Sequence, residues 1–218
     1  EIAQCLVGSE MCIRDSGKTI REILRTAFND MYEAEKQMLE LYDKMAEAAP
    51  EEIDKMMNTV GEIQTELEHS GFYTLDTKIE EVANGLGLGS IGLDRDVSEL
   101  SGGQRSKVLL TKLLLQNSSI LLLDEPTNYL DVEHIEWLTR FLQNYEHAFI
   151  LISHDIAFLN QVVNVIYHLE NCELTRYTGN YDKFQEMYAI YKAQRESAYE
   201  RQPVSYTHLR AHETLSDL

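Results

Sequence analysis

The chain has 218 residues, among them 37 Asp or Glu and 19 Lys or Arg, and its formal net charge is −18. This balance argues against direct binding of a nucleic-acid backbone, because such binding requires clustered lysines and arginines. No apolar run approaches the length of a membrane span, which predicts a soluble, cytoplasmic protein without a membrane partner. The length allows one modest domain or part of a larger one.

The two ends of the chain are related through the DNA that can encode them. One DNA string can encode residues 6–16, and its reverse complement, with one C added at its start, encodes residues 203–213. Such a pair resembles translated sequencing-library adapters of the transposon-inserted type. We therefore predict that residues 1–16 and 203–218 are adapter-derived, and we predict the fold from the residues between them. Only Cys172 lies there, so no internal disulfide or cysteine metal cluster is expected, and a reducing compartment is inferred.

Gly17, Lys18 and Thr19 match the last three positions of a phosphate-binding loop. The full motif, G-x-x-x-x-G-K-[ST], also requires a glycine five positions earlier, because the backbone of a glycine-rich turn must wrap the phosphates. Cys12 occupies that position, and no strand-like apolar run precedes it. The three residues are therefore predicted to be a chance match.

Two helices are predicted over residues 17–70. Apolar residues recur at helical spacing over residues 20–45. Pro50, followed by two glutamates, suits the first turn of a second helix, whose apolar face extends to Leu67. Together the two helices predict an antiparallel helical hairpin.

Residues 71–117 are predicted to form a helical subdomain. A short helix is expected around residues 79–83, and a loop with three glycines follows it. Gly85, Gly87 and Gly89 do not have the G-x-G-x-x-G spacing of a dinucleotide-binding turn, and no strand precedes them. They are predicted to be turn formers.

The same subdomain contains the sequence LSGGQRSKVLLTKLLLQ at residues 100–116, in which Ser101, Gly102 and Gly103 come directly before an amphipathic helix. Small residues at a helix start leave the first-turn N–H groups accessible, and the helix dipole favours an anion there. The pattern therefore predicts an anion-binding helix start. The alternative is that Ser101 is an ordinary N-cap and the glycines form a turn.

Two apolar strands are predicted within residues 118–181, and each ends in residues that can carry chemistry. The first strand runs into Asp124 and Glu125. Asp124 can hold Mg²⁺, usually through water, and Glu125 can orient or deprotonate an attacking water. The second strand ends beside His154, whose imidazole could reach a terminal phosphate from the neighbouring strand tip. The alternative for a histidine at a strand end is a structural role.

The sequences LSGGQ, LLLDEP, NYLD and ISHD, in this order and at this spacing, resemble the ATP-binding cassette family. The resemblance covers about residues 71–179. It implies an α/β fold, namely an incomplete P-loop NTPase core with a helical subdomain and an inserted helical hairpin. It also implies ATP and Mg²⁺ as cofactors and ATP hydrolysis as the reaction of the parent protein.

The resemblance also implies a role for each motif residue. Residues 100–104 correspond to the signature and residues 128–131 to the D-loop. In the family two cassettes sandwich ATP, so this signature would serve a nucleotide held by the P-loop of a second cassette. The implied catalytic residues are Glu125 and His154, the magnesium ligand is Asp124, and the nucleotide-binding residues are Ser101, Gly102, Gly103, Gln104 and Asp131.

PTNYLD and ISHD are similar to the ABC-F group, whose members are tandem-cassette proteins that act on ribosomes. Tyr129 stands where that group commonly has a histidine. The helical hairpin resembles the arm of that group, and residues 182–202 resemble the start of its interdomain linker. The implied partners are a second cassette in the same chain and the ribosome.

Three other classes remain as alternatives. A transporter cassette shares the same chemistry, a chromosome-organising or repair ATPase shares the signature helix and the Asp-Glu pair, and a helical interaction module would carry the motifs by accident.

The P-loop and Q-loop of the family do not appear before the signature, and Gln64 lies within a predicted helix. The chain is therefore expected to bind ATP weakly or not at all, and to be inactive alone. Its two strands are expected to lack flanking strands, which would leave open edges and apolar surface that favour association.

Overall fold

The computed structural model describes residues 2–4, 17–46 and 48–201. It is a mixed α/β structure, which confirms the predicted fold class, and it divides into two compact units, Glu1–His154 and Asp155–Leu218. Apart from residues 2–4, the two predicted adapter segments lie outside the described residues, and so does the failed P-loop position Cys12.

The first unit combines helices with a short parallel sheet. Its helices are α1 (Ile20–Arg25), α2 (Asn29–Met45), α3 (Pro50–His69), α4 (Leu75–Gly85), α5 (Gly102–Leu115) and α6 (Val132–Gln143). Its strands are β1 (Ile2–Gln4), β2 (Ile120–Asp124) and β3 (Ala148–Ile152). Thr19 is the N-cap of α1, and its hydroxyl accepts a hydrogen bond from the Glu22 N–H. The residues between Gln4 and Gly17 lie outside the described part of the chain, so the chance P-loop match stays a prediction.

The single helix predicted over residues 20–45 is broken by a 3₁₀ turn at Thr26–Phe28. The Thr26 hydroxyl donates a hydrogen bond to the Ile23 carbonyl at 2.6 Å. Threonine, phenylalanine and asparagine are weak helix formers, so local side-chain bonding can end the helix there. Helix α1 thereby becomes a separate element that contacts α4 and α5. Its buried residues are Ile20, Ile23 and Leu24.

An ion pair joins α1 to α4. The Arg25 guanidinium donates to both Asp76 carboxylate oxygens, with a closest distance of 2.8 Å. Hydrogen bonding from Arg25 lowers the pKa of the Asp76 carboxyl below its ordinary value. Both side chains are partly exposed, so this pair positions α1 more than it stabilises the fold.

Helices α2 and α3 contact each other and form the predicted hairpin. Pro50 is the first residue of α3, as the sequence predicts. The hairpin is thinly packed, because α2 has no buried residue, and among the described side chains of α3 only Val60 and Leu67 are buried.

The predicted short helix around residues 79–83 is the middle of the longer α4. Gly87 and Gly89 lie in turns, as predicted, but the prediction is wrong for Gly85, which is the last residue of α4. Glycine also allows a close approach here. A Cβ on Gly85 would overlap the Trp137 ring of α6, and Gly87 has a φ of +80°. Small residues are thus needed where this loop packs on α6.

The sheet has the strand order β1-β2-β3, and both pairings are parallel. The expectation that β2 lacks flanking strands is wrong, because β1 pairs with it on one side and β3 on the other. The sequence argument had set residues 2–4 aside as adapter-derived. Leu121 and Leu123 of β2 are buried on one face, whereas Ile150 and Ile152 of β3 are exposed on the other.

The second unit consists of α7 (Ile156–Val162), β4 (Val165–Glu170), β5 (Glu173–Thr178) and α8 (Tyr181–Arg201). Strands β4 and β5 are antiparallel. Asn171 and Cys172, which both have positive φ, form the turn between them. Tyr177 and Phe184 pack in an edge contact at 5.0 Å between ring centroids. Within the described part of the chain, no helix is long and apolar enough to span a membrane.

Candidate functional site

The candidate site begins at the carboxyl ends of β2 and β3. Asp124 is the last residue of β2 and pairs in register with Ile152, the last residue of β3. Glu125 follows β2 directly, and His154 lies two residues beyond β3. Parallel neighbouring strands end at the same edge of a sheet, which is where α/β proteins place their ligands. The fold therefore brings Asp124, Glu125 and His154 to one edge.

The backbone of Glu125 is held in an unusual conformation. Its φ is +48°, in the left-handed region that side-chain-bearing residues seldom adopt. Its N–H donates to the Ile152 carbonyl at 2.8 Å, and its own carbonyl accepts from the Asn128 N–H at 3.1 Å. These bonds fix Glu125 across the β2–β3 boundary. Such backbone strain is typical of functional sites, where the surrounding structure imposes it.

The side chains of Glu125 and His154 are in contact. Nδ1 of His154 lies 2.7 Å from Oε2 of Glu125, and the His154 backbone N–H donates to the same oxygen at 3.4 Å. With an ionised carboxylate, which only accepts hydrogen bonds, this contact requires a proton on Nδ1. This arrangement orients the imidazole and leaves Nε2 as the ring nitrogen available to a ligand.

The start of α5 forms the second half of the candidate site. Ser101 is the N-cap, and its hydroxyl accepts from the Gln104 N–H at 3.3 Å. The Gln104 side chain in turn accepts from the Ser101 N–H at 2.9 Å, completing a capping box. Gly102 and Gly103 are the first two helical residues, whose N–H groups have no partner within a helix. Ser101 and Gly102 are exposed, so an anion can reach this turn.

This geometry bears on both interpretations of the LSGGQ sequence. Ser101 does act as an ordinary N-cap, and the glycines belong to the helix rather than to a preceding turn. The Gln104 amide is engaged in the capping box, so its predicted contact with nucleotide requires that box to open. The backbone amides of Gly102 and Gly103 do not carry this restriction.

Residues 128–131 connect the two halves. Tyr129 has a φ of +68° and lies against Gly103, since a Cβ built there would be only 3.1 Å from Cδ1 of the ring. The Asp131 carboxylate lies 4.0 Å from Nζ of Lys107 on α5 and 3.4 Å from Nδ1 of His134 on α6. The latter is an electrostatic contact, because that nitrogen lacks a hydrogen-bond partner among the described residues.

Sequence reasoning did not select Lys107 and His134 as site residues. It predicted that Asp131 binds nucleotide. His134 follows Asp131 by three residues, a spacing that places both on one side of a helix start, so this contact could have been anticipated. The contact with Lys107 joins distant parts of the chain and left no local signal. The structure adds a positioning role to Asp131 beside the predicted one.

The residues present fit the groups that the sequence implies. In the described residues no cluster of three or more histidine, cysteine or acidic side chains could hold a metal. Mg²⁺ does not need such a cluster, because it is commonly bound by one or two carboxylates, waters and substrate phosphates. Asp124, an exposed carboxylate at the sheet edge, suits that mode. The first-turn amides of α5 are donors that suit a phosphate.

Comparison with known families identifies the class of this chain. The family described as "ABC transporter" matches residues 10–128, more than half of the chain, and a second family with the same description matches residues 167–212. The chain therefore belongs to the ABC transporter family of ATP-binding cassette proteins. ATP is the nucleotide of these domains, and ATP hydrolysis is their general reaction. Both matches extend into the residues predicted to be adapter-derived.

Two relatives of the chain illustrate the range of the family. It is 58% identical over 190 residues to the "Uncharacterized ABC transporter ATP-binding protein YfmM" of Bacillus subtilis, with 87% of this chain and 37% of that protein covered. It is 36% identical over 170 residues to the "Energy-dependent translational throttle protein EttA" of Mycobacterium tuberculosis, with 78% and 29% covered. The chain thus spans well under half the length of these relatives.

A solved structure titled "Structure of ATP binding subunit of ABC transporter" has a similar fold. The TM-score is 0.54 at 16% sequence identity, and the alignment covers 86% of this chain and 62% of that one. At this identity the likeness concerns the fold alone. It agrees with the α/β cassette fold predicted from the sequence motifs.

Proposed function

We propose that this chain is part of the first cassette of an ABC-F type ATPase, a cytoplasmic tandem-cassette protein that couples ATP binding and hydrolysis to translation. The observation that carries the proposal is the 2.7 Å contact between Glu125 and His154 at adjoining strand ends. Asp124 lies at the same edge, and residues 128–131 lead from it to the exposed start of α5.

Each site residue has a distinct role in this proposal. Asp124 holds Mg²⁺, and Glu125 orients the attacking water and accepts its proton. His154, with Nδ1 held by Glu125, presents Nε2 to the terminal phosphate. Bound ATP supplies the phosphoanhydride that is cleaved. The helix start, through Ser101 and its neighbouring amides, completes a nucleotide site whose P-loop belongs to a second cassette.

Two observations support a role in translation. PTNYLD and ISHD are similar to ABC-F sequences, and the M. tuberculosis relative is named a translational throttle protein. The B. subtilis relative is named an ABC transporter ATP-binding protein, which supports a transporter subunit as the second candidate. The absence of clustered basic residues suits contact with ribosomal protein better than with RNA for this segment.

The proposed domain organisation follows the sequence analysis. Residues 17–70 contain the arm-like hairpin, residues 71–117 the helical subdomain, residues 118–181 the Walker B and switch region, and residues 182–202 the start of the linker. Helix α8 supports the last assignment. Residues 1–16 and 203–218 are proposed to be adapter-derived, and sequencing the gene across both junctions tests this.

The first functional test is a nucleotide titration of the 218-residue chain. We expect weak or no ATP binding, because no P-loop lysine and backbone cradle accompany the motifs. The measurement is calorimetry with ATP, with and without Mg²⁺. Magnesium-dependent affinity in the micromolar range would refute the proposed inactivity of the chain.

The second test uses the complete two-cassette protein. Glu125→Gln should leave ATP bound and slow steady-state hydrolysis by about two orders of magnitude or more, the share that general-base chemistry contributes. Glu136→Gln on the exposed side of α6 is the matched control and should be unchanged. Unchanged hydrolysis in Glu125→Gln would remove Glu125 from the mechanism.

The branch of the family is tested with the same hydrolysis-deficient protein. With ATP bound it should sediment with ribosomes and not with membrane vesicles, and ADP should release it. Sedimentation with vesicles that contain a transporter membrane domain would favour the transporter subunit instead.

A further inference from the structure

Lys107 is a mostly buried cation beside the candidate site. It lies on α5 one helical turn after Gly103, so the two residues share a side of the helix. Its side chain is only 14% exposed. A lysine is seldom covered to this extent without a partner, because its ammonium loses hydration. In the described part of the chain, Asp131 is the one acid within ion-pair distance, with Nζ and Oδ2 4.0 Å apart.

Asp131 has an unusual arrangement for a residue at a helix start. It is the N-cap of α6, a position where an aspartate side chain normally accepts from a first-turn N–H. Its carboxylate accepts no such bond and lies instead near Lys107 and the buried Nδ1 of His134. A pair with one exposed member contributes little to stability. Its effect is therefore on where the carboxylate points.

Two contacts attach residues 128–131 to the beginning of α5. Tyr129 lies against Gly103, and Asp131 lies near Lys107, one turn further along the same helix. The segment therefore runs beside the exposed helix start, and its far end is the Asp131 contact.

We propose that Lys107 is a positioning residue for ATP hydrolysis, which acts by holding residues 128–131 against α5 through Asp131. The near end of this segment is joined to Glu125, because the Asn128 N–H donates to the Glu125 carbonyl at 3.1 Å. Loss of the Lys107 charge releases the far end, and Glu125 is then held less firmly against the attacking water. A misplacement of about 1 Å is enough to slow a reaction strongly. The inference rests on the proposed function, in which Glu125 accepts the proton of that water.

The alternative role for a lysine near an anion-binding helix start is direct contact with phosphate. The structure favours positioning, because the Lys107 ammonium is mostly covered and the exposed carboxylate of Asp131 is its nearest opposite charge. The two roles differ in their kinetics. Loss of a positioning residue lowers kcat, whereas loss of a phosphate ligand that binds substrate and transition state equally raises KM.

The activity test uses the complete two-cassette protein with ATP varied. Lys107→Met keeps a long unbranched side chain without the charge, and it should lower kcat at least about tenfold while KM changes less than about twofold. Lys107→Arg keeps a permanent cation and should retain most of kcat. Lys112→Met is the matched control, because Lys112 is the other lysine of α5 and lies in its last turn. It should hydrolyse ATP like the wild type.

A double variant tests whether Lys107 acts through Asp131. Asp131→Asn alone should lower kcat to a similar extent, and it changes an exposed side chain, so it remains informative where Lys107→Met does not fold. If the two residues act as a unit, the double variant should be no slower than the slower single variant. Effects that multiply would mean that they act independently, which overturns the proposal.

Amide hydrogen exchange of the 218-residue chain tests the contact without nucleotide. In Lys107→Met the Asp131 carboxylate is released and can cap α6, so the N–H of Glu133 or His134 should exchange about fivefold more slowly. Loosened packing alone would make both amides exchange faster. Unchanged or faster exchange would overturn the proposed contact.

Glu125→Gln in the same hydrolysis assay separates this inference from the proposed function. If Glu125→Gln is slow but Lys107→Met hydrolyses normally, the inference fails and the proposed function stands. If Glu125→Gln hydrolyses normally, both fail. A raised KM with unchanged kcat in Lys107→Met would make Lys107 a phosphate ligand and overturn its positioning role. Circular dichroism verifies that each variant is folded.

Discussion

The two halves of the candidate site are held in different ways. The strand-tip half, Glu125 and His154, depends on the parallel ladder between β2 and β3 and on buried side chains beneath it. The helix-start half, Ser101 to Gln104, is held by a capping box made by its own residues. The first half therefore depends on long-range packing, whereas the second is largely encoded locally.

This difference predicts which substitutions should disturb each half. A change in the core should disturb the strand tips and spare the helix start, and loss of the cap should do the reverse. A disturbance in one half can still reach the other half through residues 128–131. Tyr129 lies against Gly103, and Asp131 lies near Lys107, both on α5.

The largest expected effect is in the core beneath the strand tips. Leu121→Ala removes a fully buried side chain from β2 and should lower the free energy of unfolding by about 2–5 kcal/mol. Leu122→Ala, the half-buried neighbour on the opposite face, should cost about 1 kcal/mol or less. Urea unfolding followed by fluorescence of Trp137, the single tryptophan, measures both.

Amide hydrogen exchange then shows whether the two halves separate. In Leu121→Ala the Glu125 amide should lose protection, because its bond to Ile152 depends on the ladder, while the Gln104 amide keeps its cap. Equal loss of protection in both halves would mean that the helix start also depends on the sheet.

The next effect concerns the cap itself. Ser101→Ala removes the acceptor for the Gln104 N–H and should cost about 1 kcal/mol. Ser106→Ala is the matched control, since the Ser106 hydroxyl only bonds back to the Gly102 carbonyl within the helix. It should change the free energy of unfolding by less than about 0.5 kcal/mol. A loss as large in the control as in Ser101→Ala would show that the capping box contributes little.

The parts predicted correctly from sequence are those with local signals. Four apolar residues followed by Asp124 specify a strand that ends in a carboxylate, and Ser101 followed by two glycines specifies a helix start. The apolar periodicity predicted the hairpin but did not reveal the break at Thr26–Phe28, because both sides of the break continue the same helical spacing.

The parts that sequence reasoning missed depend on residues far apart in the chain. No local signal places Tyr129 against Gly103 or Lys107 near Asp131, since these contacts follow from how α5 packs beside the loop after β2. The pairing of β1 with β2 joins residues separated by more than a hundred positions and was not predicted. The roles of the individual site residues stay predictions.

The left-handed backbone of Glu125 gives a third prediction, which concerns the stability of the strand-tip half. Asparagine tolerates a positive φ better than glutamine, and both replace the carboxylate with an amide. Glu125→Asn should therefore be more stable than Glu125→Gln by about 1 kcal/mol. Urea unfolding of the two variants measures the difference.

Position 133 provides the control for that comparison. Glu133 lies in the first turn of α6, so Glu133→Asn and Glu133→Gln compare the same residues in right-handed helical backbone. There glutamine is the better helix former, and the order should be reversed. The same order at both positions would show that backbone strain at Glu125 is not the cause.

The smallest effect tests the connection between the halves. Gly103→Ala improves helix propensity but places a Cβ 3.1 Å from the Tyr129 ring, so the two contributions should nearly cancel in the wild type. In a Tyr129→Ala background the steric contact is gone, and Gly103→Ala should stabilise the chain by about 0.5 kcal/mol. A double-mutant cycle from urea unfolding measures this coupling. Tyr129→Phe keeps the ring and should preserve the wild-type response. Additive free energies in the cycle would mean that Tyr129 and Gly103 do not interact energetically. This contact would then not couple the stability of the two halves of the site.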